Sequence, residues 1–131
     1  MIPMQLTFHS DEFSNLPLDD QCQQLKNFFE SQIDRIDRQL VRDLSFISQL
    51  AHYKEGMKII RVESIPAGKN LDRFYLYFEY EWHIFQGCMA MEDSGIMKDK
   101  VKFSIDSSSI PLHSIILDLT PFQTLSTADE L

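Results

Sequence analysis

Between Cys22 and Ala51, apolar residues recur at Cys22, Leu25, Phe29, Ile33, Ile36, Leu40, Leu44, Ile47 and Ala51, always three or four positions apart. That spacing gathers them on one stripe of an α-helix. Phe28, Phe46 and Leu50 widen the stripe. Gln23, Lys26, Asn27, Glu30, Asp34, Asp37, Arg38 and Asp43 fall on other faces, with Asp34 and Arg38 at the i,i+4 spacing of a supporting ion pair. Pro17, Asp19 and Asp20 mark the start: proline suits the first turn, and carboxylates cap free N–H groups at the positive end of the helix dipole. Gly56 marks the stop. One helix from about 18 to 54 would be roughly 55 Å long, more than a domain of this size is wide. Either a kink within 31–38 divides it into two packed helices, the solution favoured here, or one end overhangs and buries its stripe on a second chain.

Beyond Gly56 the period drops to two. Met57–Ile65 is rich in β-branched residues and runs into the turn chemistry of Pro66-Ala67-Gly68-Lys69-Asn70. The chain then returns through the strongest strand pattern it contains, Arg73–Phe85, which predicts a hairpin. Phe74, Leu76, Phe78, Tyr80, Trp82 and Ile84 form the core-facing row, alternating with Arg73, Tyr75, Tyr77, Glu79, Glu81 and His83 on the outward row. Gln86–Gly95 reads as a loop or irregular edge, and Lys100–Asp106 as a strand broken by Ser107-Ser108-Ser109. Gln5–His9 is a short strand, 111–119 suits a strand or a short helix, and 123–131 is a frayed polar tail. The expected class is α+β: an N-terminal long helix or helix pair packed on an antiparallel sheet of about four or five strands. No repeat or linker divides residues 1–131, so a single domain is expected.

Composition narrows the function classes. At 131 residues and 44% hydrophobic, the chain can bury a core without disulfides or metal. Twenty acids against twelve bases give a net charge of −8, which disfavours nucleic acid and anionic membrane as direct ligands and favours a cationic partner. No apolar run is long enough to span a bilayer, and no basic region leads into an apolar one at the N-terminus. With only Cys22 and Cys88, outside any CxxC or Cys/His cluster, two free thiols and a cytoplasmic location are expected. No cofactor or metal is expected: Glu79, Glu81 and His83 lack a second histidine at ligand spacing, and His9, His52 and His113 are scattered. Nucleophile elbows, S-x-x-K and glycine-rich phosphate loops are missing, and Cys22 lies on the apolar stripe where a thiol is inert, so the expectation is a protein that is not an enzyme.

The candidate chemistry sits on the outward row of 73–85. Tyr75, Tyr77, Glu79, Glu81 and His83 recur at about 6.6 Å along a strand, with Glu92 and Asp93 not far beyond in sequence. Such a row can be a solvated face whose acids pair with Lys58, Arg61, Lys100 or Lys102. It can also be a partner-binding surface, with tyrosines as anchors and carboxylates drawing Arg or Lys. A catalytic reading would use His83 beside Glu81 as a general base. In size, acidity, lack of motifs and α+β layout with an acidic aromatic sheet face, the chain resembles bacterial immunity proteins that neutralise cationic toxins, including nuclease effectors of contact-dependent inhibition systems. The resemblance implies a tight complex in which Glu79, Glu81, Glu92 and Asp93 meet a basic toxin domain. Helices followed by a curved sheet is also the element order of cystatin-like and nuclear-transport-factor-like folds, in which Tyr80 or Trp82 would line a small-ligand pocket. A third expectation, an acidic secretion chaperone, would be dimeric, so both monomer and homodimer remain open.

Overall fold

A computed structural model describes residues 3–42, 44, 51–65, 73–86 and 91–122. It is α+β, with a five-stranded antiparallel sheet carrying a short helical layer on one face. The chain runs β1 (Pro3–His9), a 3-10 turn, α1 (Leu18–Ser31), α2 (Ile33–Ile36), a second 3-10 turn, and then β2 (Ala51–Ser64), β3 (Arg73–Gln86), β4 (Met91–Ser109) and β5 (Leu112–Asp118). The strand order is β1-β5-β4-β3-β2, a meander whose last strand takes the N-terminal strand as its outer neighbour.

The helix ends far short of residue 54. α1 stops at Ser31, where the Ser31 hydroxyl donates 2.6 Å back to the Phe28 carbonyl, and Gln32 leaves helical geometry at φ −108°, ψ 8°. Beyond it the chain makes one turn of α2 and a 3-10 turn. The break falls inside the segment expected to kink, but no second long helix succeeds it among the described residues. An overhanging helix therefore gives no reason to expect a second chain. Asp34 and Arg38 do not meet, because the tightened turn takes them out of i,i+4 register; Arg38 pairs with Glu55 instead. At the N-terminus, Asp19 and Asp20 lie in the first turn, but no side chain caps it. Their contribution is the charge they place against the helix dipole.

The apolar stripe is nonetheless the right one. Leu25, Phe29, Ile36, Leu40 and Leu44 are all buried, although the helix breaks at Gln32 and Leu44 lies beyond the 3-10 turn. Phe46, Ile47 and Leu50 lie outside the described residues.

Residues 51–54 are strand, where the helical stripe had claimed them. Ala51 to Lys54 pair with Ile84 to Glu81, since the long β3 edge offers hydrogen bonds that a last helical turn cannot match. Gly56 is therefore no helix stop. It sits within β2 at φ +117°, where the register slips between Lys54 and Lys58. The β2–β3 hairpin forms as the pattern demands; its turn chemistry at 66–70 lies outside the described residues.

Two further expectations give way to the sheet. Of the segment 86–95, the described residues 86 and 91–95 are strand: β3 and β4 stay paired out to Gln86 opposite Met91, and 87–90 lie outside the described residues. Ser107-Ser108-Ser109 does not end β4 but bulges it, with the Ser108 N–H held 3.0 Å from Asp106 Oδ1 and the register shifting between Asp106 and Ser109. The 112–118 segment is a strand, entered through a cis Ile110–Pro111 bond, and residues 123–131 lie outside the described ones.

One face of the sheet carries the core. Phe29 reaches from α1 to Phe103 at 5.0 Å between ring centroids, Phe103 stacks on Phe74 at 5.4 Å, and Leu25, Leu76, Ile115 and Leu117 are fully buried around them. Trp82 and Ile84, at the far end of the core row, are only half-buried.

Candidate functional site

β3 is the middle of the β2–β3–β4 ribbon, so its outward row has a neighbour on each side. Cross-strand register fixes those neighbours: Tyr75 faces Glu63 and Lys102, Tyr77 faces Arg61 and Lys100, Glu79 faces Lys58 and Lys98, Glu81 faces Lys54 and Ile96, and His83 faces His52 and Ser94. Tyr75, Tyr77, Glu79, Glu81 and His83 are thus brought together on one half-exposed face. Asp93 lies opposite Ile84 and so has the other parity; it is exposed, and its Oδ1 accepts the Ser94 N–H at 2.8 Å. Glu92 occupies the β4 position opposite Phe85, its side chain outside the described ones.

The face is basic where the single strand read as acidic. Among the described side chains, Lys54, Lys58, Arg61, Arg73, Lys98, Lys100 and Lys102 project from the outward rows of β2 to β4 beside Glu63, Glu79 and Glu81, seven cations to three carboxylates before Asp106 at the far end of β4. Alternation along β3 reveals only its own row. The lysines come from strands that are distant in sequence and adjacent only through pairing.

The tyrosines hold these cations. The Arg61 guanidinium lies 4.0 Å from the Tyr77 ring centroid, and Lys100 Nζ lies 4.4 Å from Tyr75 and 5.9 Å from Tyr77. Arg61 Nε also donates to Glu63 Oε2 at 2.6 Å, which lowers the Glu63 pKa and raises that of Arg61. Lys54 approaches Glu81 at 4.0 Å. Between these side chains lies an open hollow of about 420 Å³, lined by Ile60, Arg61, Tyr77, Glu79, Lys98 and Lys100 among others. Ile60 and Ile96 are exposed beside it, at 38% and 57%.

His83, the general-base candidate, packs edge-on against His52 with ring centroids 5.7 Å apart. Tyr80 is 1% exposed, stacks near Phe78, and its hydroxyl oxygen accepts the Arg42 N–H at 3.3 Å. It is thus packed into the core rather than lining a hollow. Cys22 is half-buried with a free thiol, and burial, reinforced by Asp19, raises its pKa. Cys88 lies outside the described residues. Among the described residues, no three His, Cys, Asp or Glu side chains converge as metal ligands would, and no helix is long and apolar enough to cross a membrane.

Six further carboxylates among the described residues lie on the other side. Asp11, Glu12, Asp19, Asp20, Glu30 and Asp34 are exposed along the approach to α1 and over the helical layer, whose exposed or half-exposed cations are Lys26, paired with Glu30 at 3.0 Å, Arg35, and Arg38, paired with Glu55. A second device ties the layers together at the other end of the helical segment. Arg42 forms a double ion pair with Asp99, donates to the Pro121 carbonyl at 2.9 Å and lies 4.7 Å over the Phe122 ring. Neither charge segregation nor this clamp has a local sequence signal. Compared with known protein families, curated proteins and solved structures, the chain matches none.

Proposed function

We propose that this chain is a partner-binding protein without catalytic activity, an immunity-type protein that neutralises a cationic toxin domain, and that it meets this partner with the acidic helical side of the fold. The observation that carries the reading is the segregation of charge: a chain of net −8 turns seven of its twelve basic residues to the outer sheet face and leaves Asp11, Glu12, Asp19, Asp20, Glu30 and Asp34 exposed on the opposite side, beside Lys26, Arg35 and Arg38. A field of one sign over one surface speeds encounter with an oppositely charged protein and discriminates against acidic competitors. The helical layer thus replaces the outward row of β3 as the binding surface, because Glu79 and Glu81 on that row are flanked by lysines.

The test is co-expression of the tagged chain with the products of its neighbouring reading frames. A polypeptide of pI above about 9 should co-purify and lose its toxicity in the complex. Asp19→Lys with Asp20→Lys should slow association and flatten its salt dependence, with the fold retained and stability lowered by about 1 kcal/mol through the lost interaction with the helix dipole. If no basic neighbour binds, or if the reversed charges leave association unchanged, the reading fails.

A further inference from the structure

The outer face of the sheet is a surface of the opposite kind to the acidic helical layer. We infer that the hollow between Arg61, Tyr77, Lys98 and Lys100 is a docking site for an extended acidic segment of a protein, distinct from the cationic partner proposed above and independent of it. Three observations support that occupant.

The first is charge. Lys98, Lys100 and Lys102 stand on one side of β4, two residues apart; across the β3–β4 ladder Lys102 faces Tyr75, Lys100 faces Tyr77 and Lys98 faces Glu79, so the three lysines outnumber the one carboxylate opposite them. Their spacing along the strand is about 6.6 Å, the same interval that separates alternate side chains of an extended peptide. A segment with carboxylates at every second residue can therefore meet successive lysines without bending. The acids of α1 weaken this attraction little. They lie a helix layer away, on the order of 10 Å, and charge is screened over about 8 Å at physiological salt.

The second is preorganisation. Arg61 and Lys100 are not free-swinging surface cations: the Tyr77 and Tyr75 rings hold them at 4.0 Å and 4.4 Å, and Glu63 fixes the Arg61 Nε. Positioned cations lose less rotamer freedom on binding than solvated ones. Exposed Ile60 and Ile96 on the same face give apolar contact to a segment whose acids alternate with small or apolar residues.

The third observation separates a peptide from a nucleic acid. Single-stranded nucleic acid binds sheet faces by stacking bases on open aromatic rings. Here the protein's own cations lie over those rings, Arg61 from the β2 side and Lys100 from the β4 side, and Tyr75 and Tyr77 tilt 60° to one another at 6.1 Å. The rings serve as supports for cations and offer little open face for a base.

The experiment is a fluorescence-anisotropy titration of the full chain with a labelled ten-residue peptide of alternating glutamate and serine, set beside a labelled ten-nucleotide oligouridine. Saturable peptide binding that weakens with salt is expected. Lys98→Glu combined with Lys100→Glu should weaken it by at least ~10-fold with the circular dichroism spectrum retained. Should the double variant not fold, Lys100→Gln alone should weaken binding by about threefold. Asp19→Lys with Asp20→Lys should leave it unchanged. The proposal is overturned if the peptide does not bind, or if it binds the double variant as well as the parent. Tighter binding of oligouridine than of the peptide would reassign the face to nucleic acid and overturn it too. So would sedimentation showing self-association that disappears with Asp19→Lys and Asp20→Lys, because the occupant would then be the helical side of a second copy.

Discussion

His113 and Gly95 show how single side chains fix the sheet. His113 is 1% exposed; its Nε2–H donates to the Ser10 carbonyl at 3.0 Å, its Nδ1 shares a 2.7 Å hydrogen bond with the Ser107 hydroxyl, and its ring packs 5.3 Å from Phe13. It therefore joins the end of β1, the bulge of β4 and the start of β5. Because a carbonyl can only accept, the Nε2 proton is fixed, and in the neutral ring Nδ1 accepts from Ser107. His113→Ala should cost about 3 kcal/mol, from a cavity plus a buried carbonyl left without its donor, measurable as a lower urea midpoint. Gly95 lies beneath the only tryptophan: a Cβ there would fall 2.5 Å from Trp82 Cζ2. Gly95→Ala should displace the indole, red-shift the tryptophan emission and destabilise the fold by about 1 kcal/mol. An unchanged emission spectrum would mean the ring does not rest on this glycine. From sequence Gly95 is one of two glycines in an apparent loop; only its pairing with Trp82 shows why the position has no side chain.

At the scale of elements, β2 is the informative case. Its register slips around Gly56, whose positive φ few other residues adopt, and the Tyr53 hydroxyl there donates to buried Asp37 at 3.0 Å while accepting the Met57 N–H at 3.2 Å. The bulge thus locks the end of the helical segment to the edge strand. Nothing stands within 4 Å of a Cβ built on Gly56, so the cost of Gly56→Ala should be purely conformational, about 1 kcal/mol, with no change in the fold. A calorimetric scan of the variant checks this. A near-zero shift would show that the backbone relaxes out of the left-handed region. The periodic rule that located Leu25, Phe29, Ile36 and Leu40 in the core carried the helix too far. Ala51 fits both a helical stripe and an inward strand position, and the choice between them belongs to β3.

For the molecule as a whole, stability should fall at alkaline pH. Burial raises the pKa of Tyr80 and of Tyr53, and also that of the Cys22 thiol. A group kept neutral in the folded state contributes its full stabilisation below its unfolded pKa. Above about pH 10 the unfolded chain releases tyrosine protons that the folded chain retains, and the stabilisation is lost as pH rises through the folded values. Urea midpoints at pH 8 and pH 11 should show the decline, with a shallower one for Tyr80→Phe. The Arg42 clamp is a second global device, since it binds the segment after the helices to β4 and to the chain beyond β5. Arg42→Ala should cost about 2 kcal/mol by leaving Asp99, whose side chain is 13% exposed, without its countercharge. Solvent screening keeps the cost at that level, because the guanidinium is itself 39% exposed.

What the sequence alone determined is which residues turn inward and that helix precedes sheet, because hydrophobic periodicity is a local quantity legible along one chain segment. It also determined the total charge. What only the tertiary structure decided is where that charge stands. The outward row of β3 read as two tyrosines, two glutamates and a histidine; pairing set Lys54, Lys58 and Arg61 on one side of it and Lys98, Lys100 and Lys102 on the other. An electrostatic surface is a sum over neighbours in space. In an antiparallel sheet those neighbours are set by register between strands, which no window along the sequence contains.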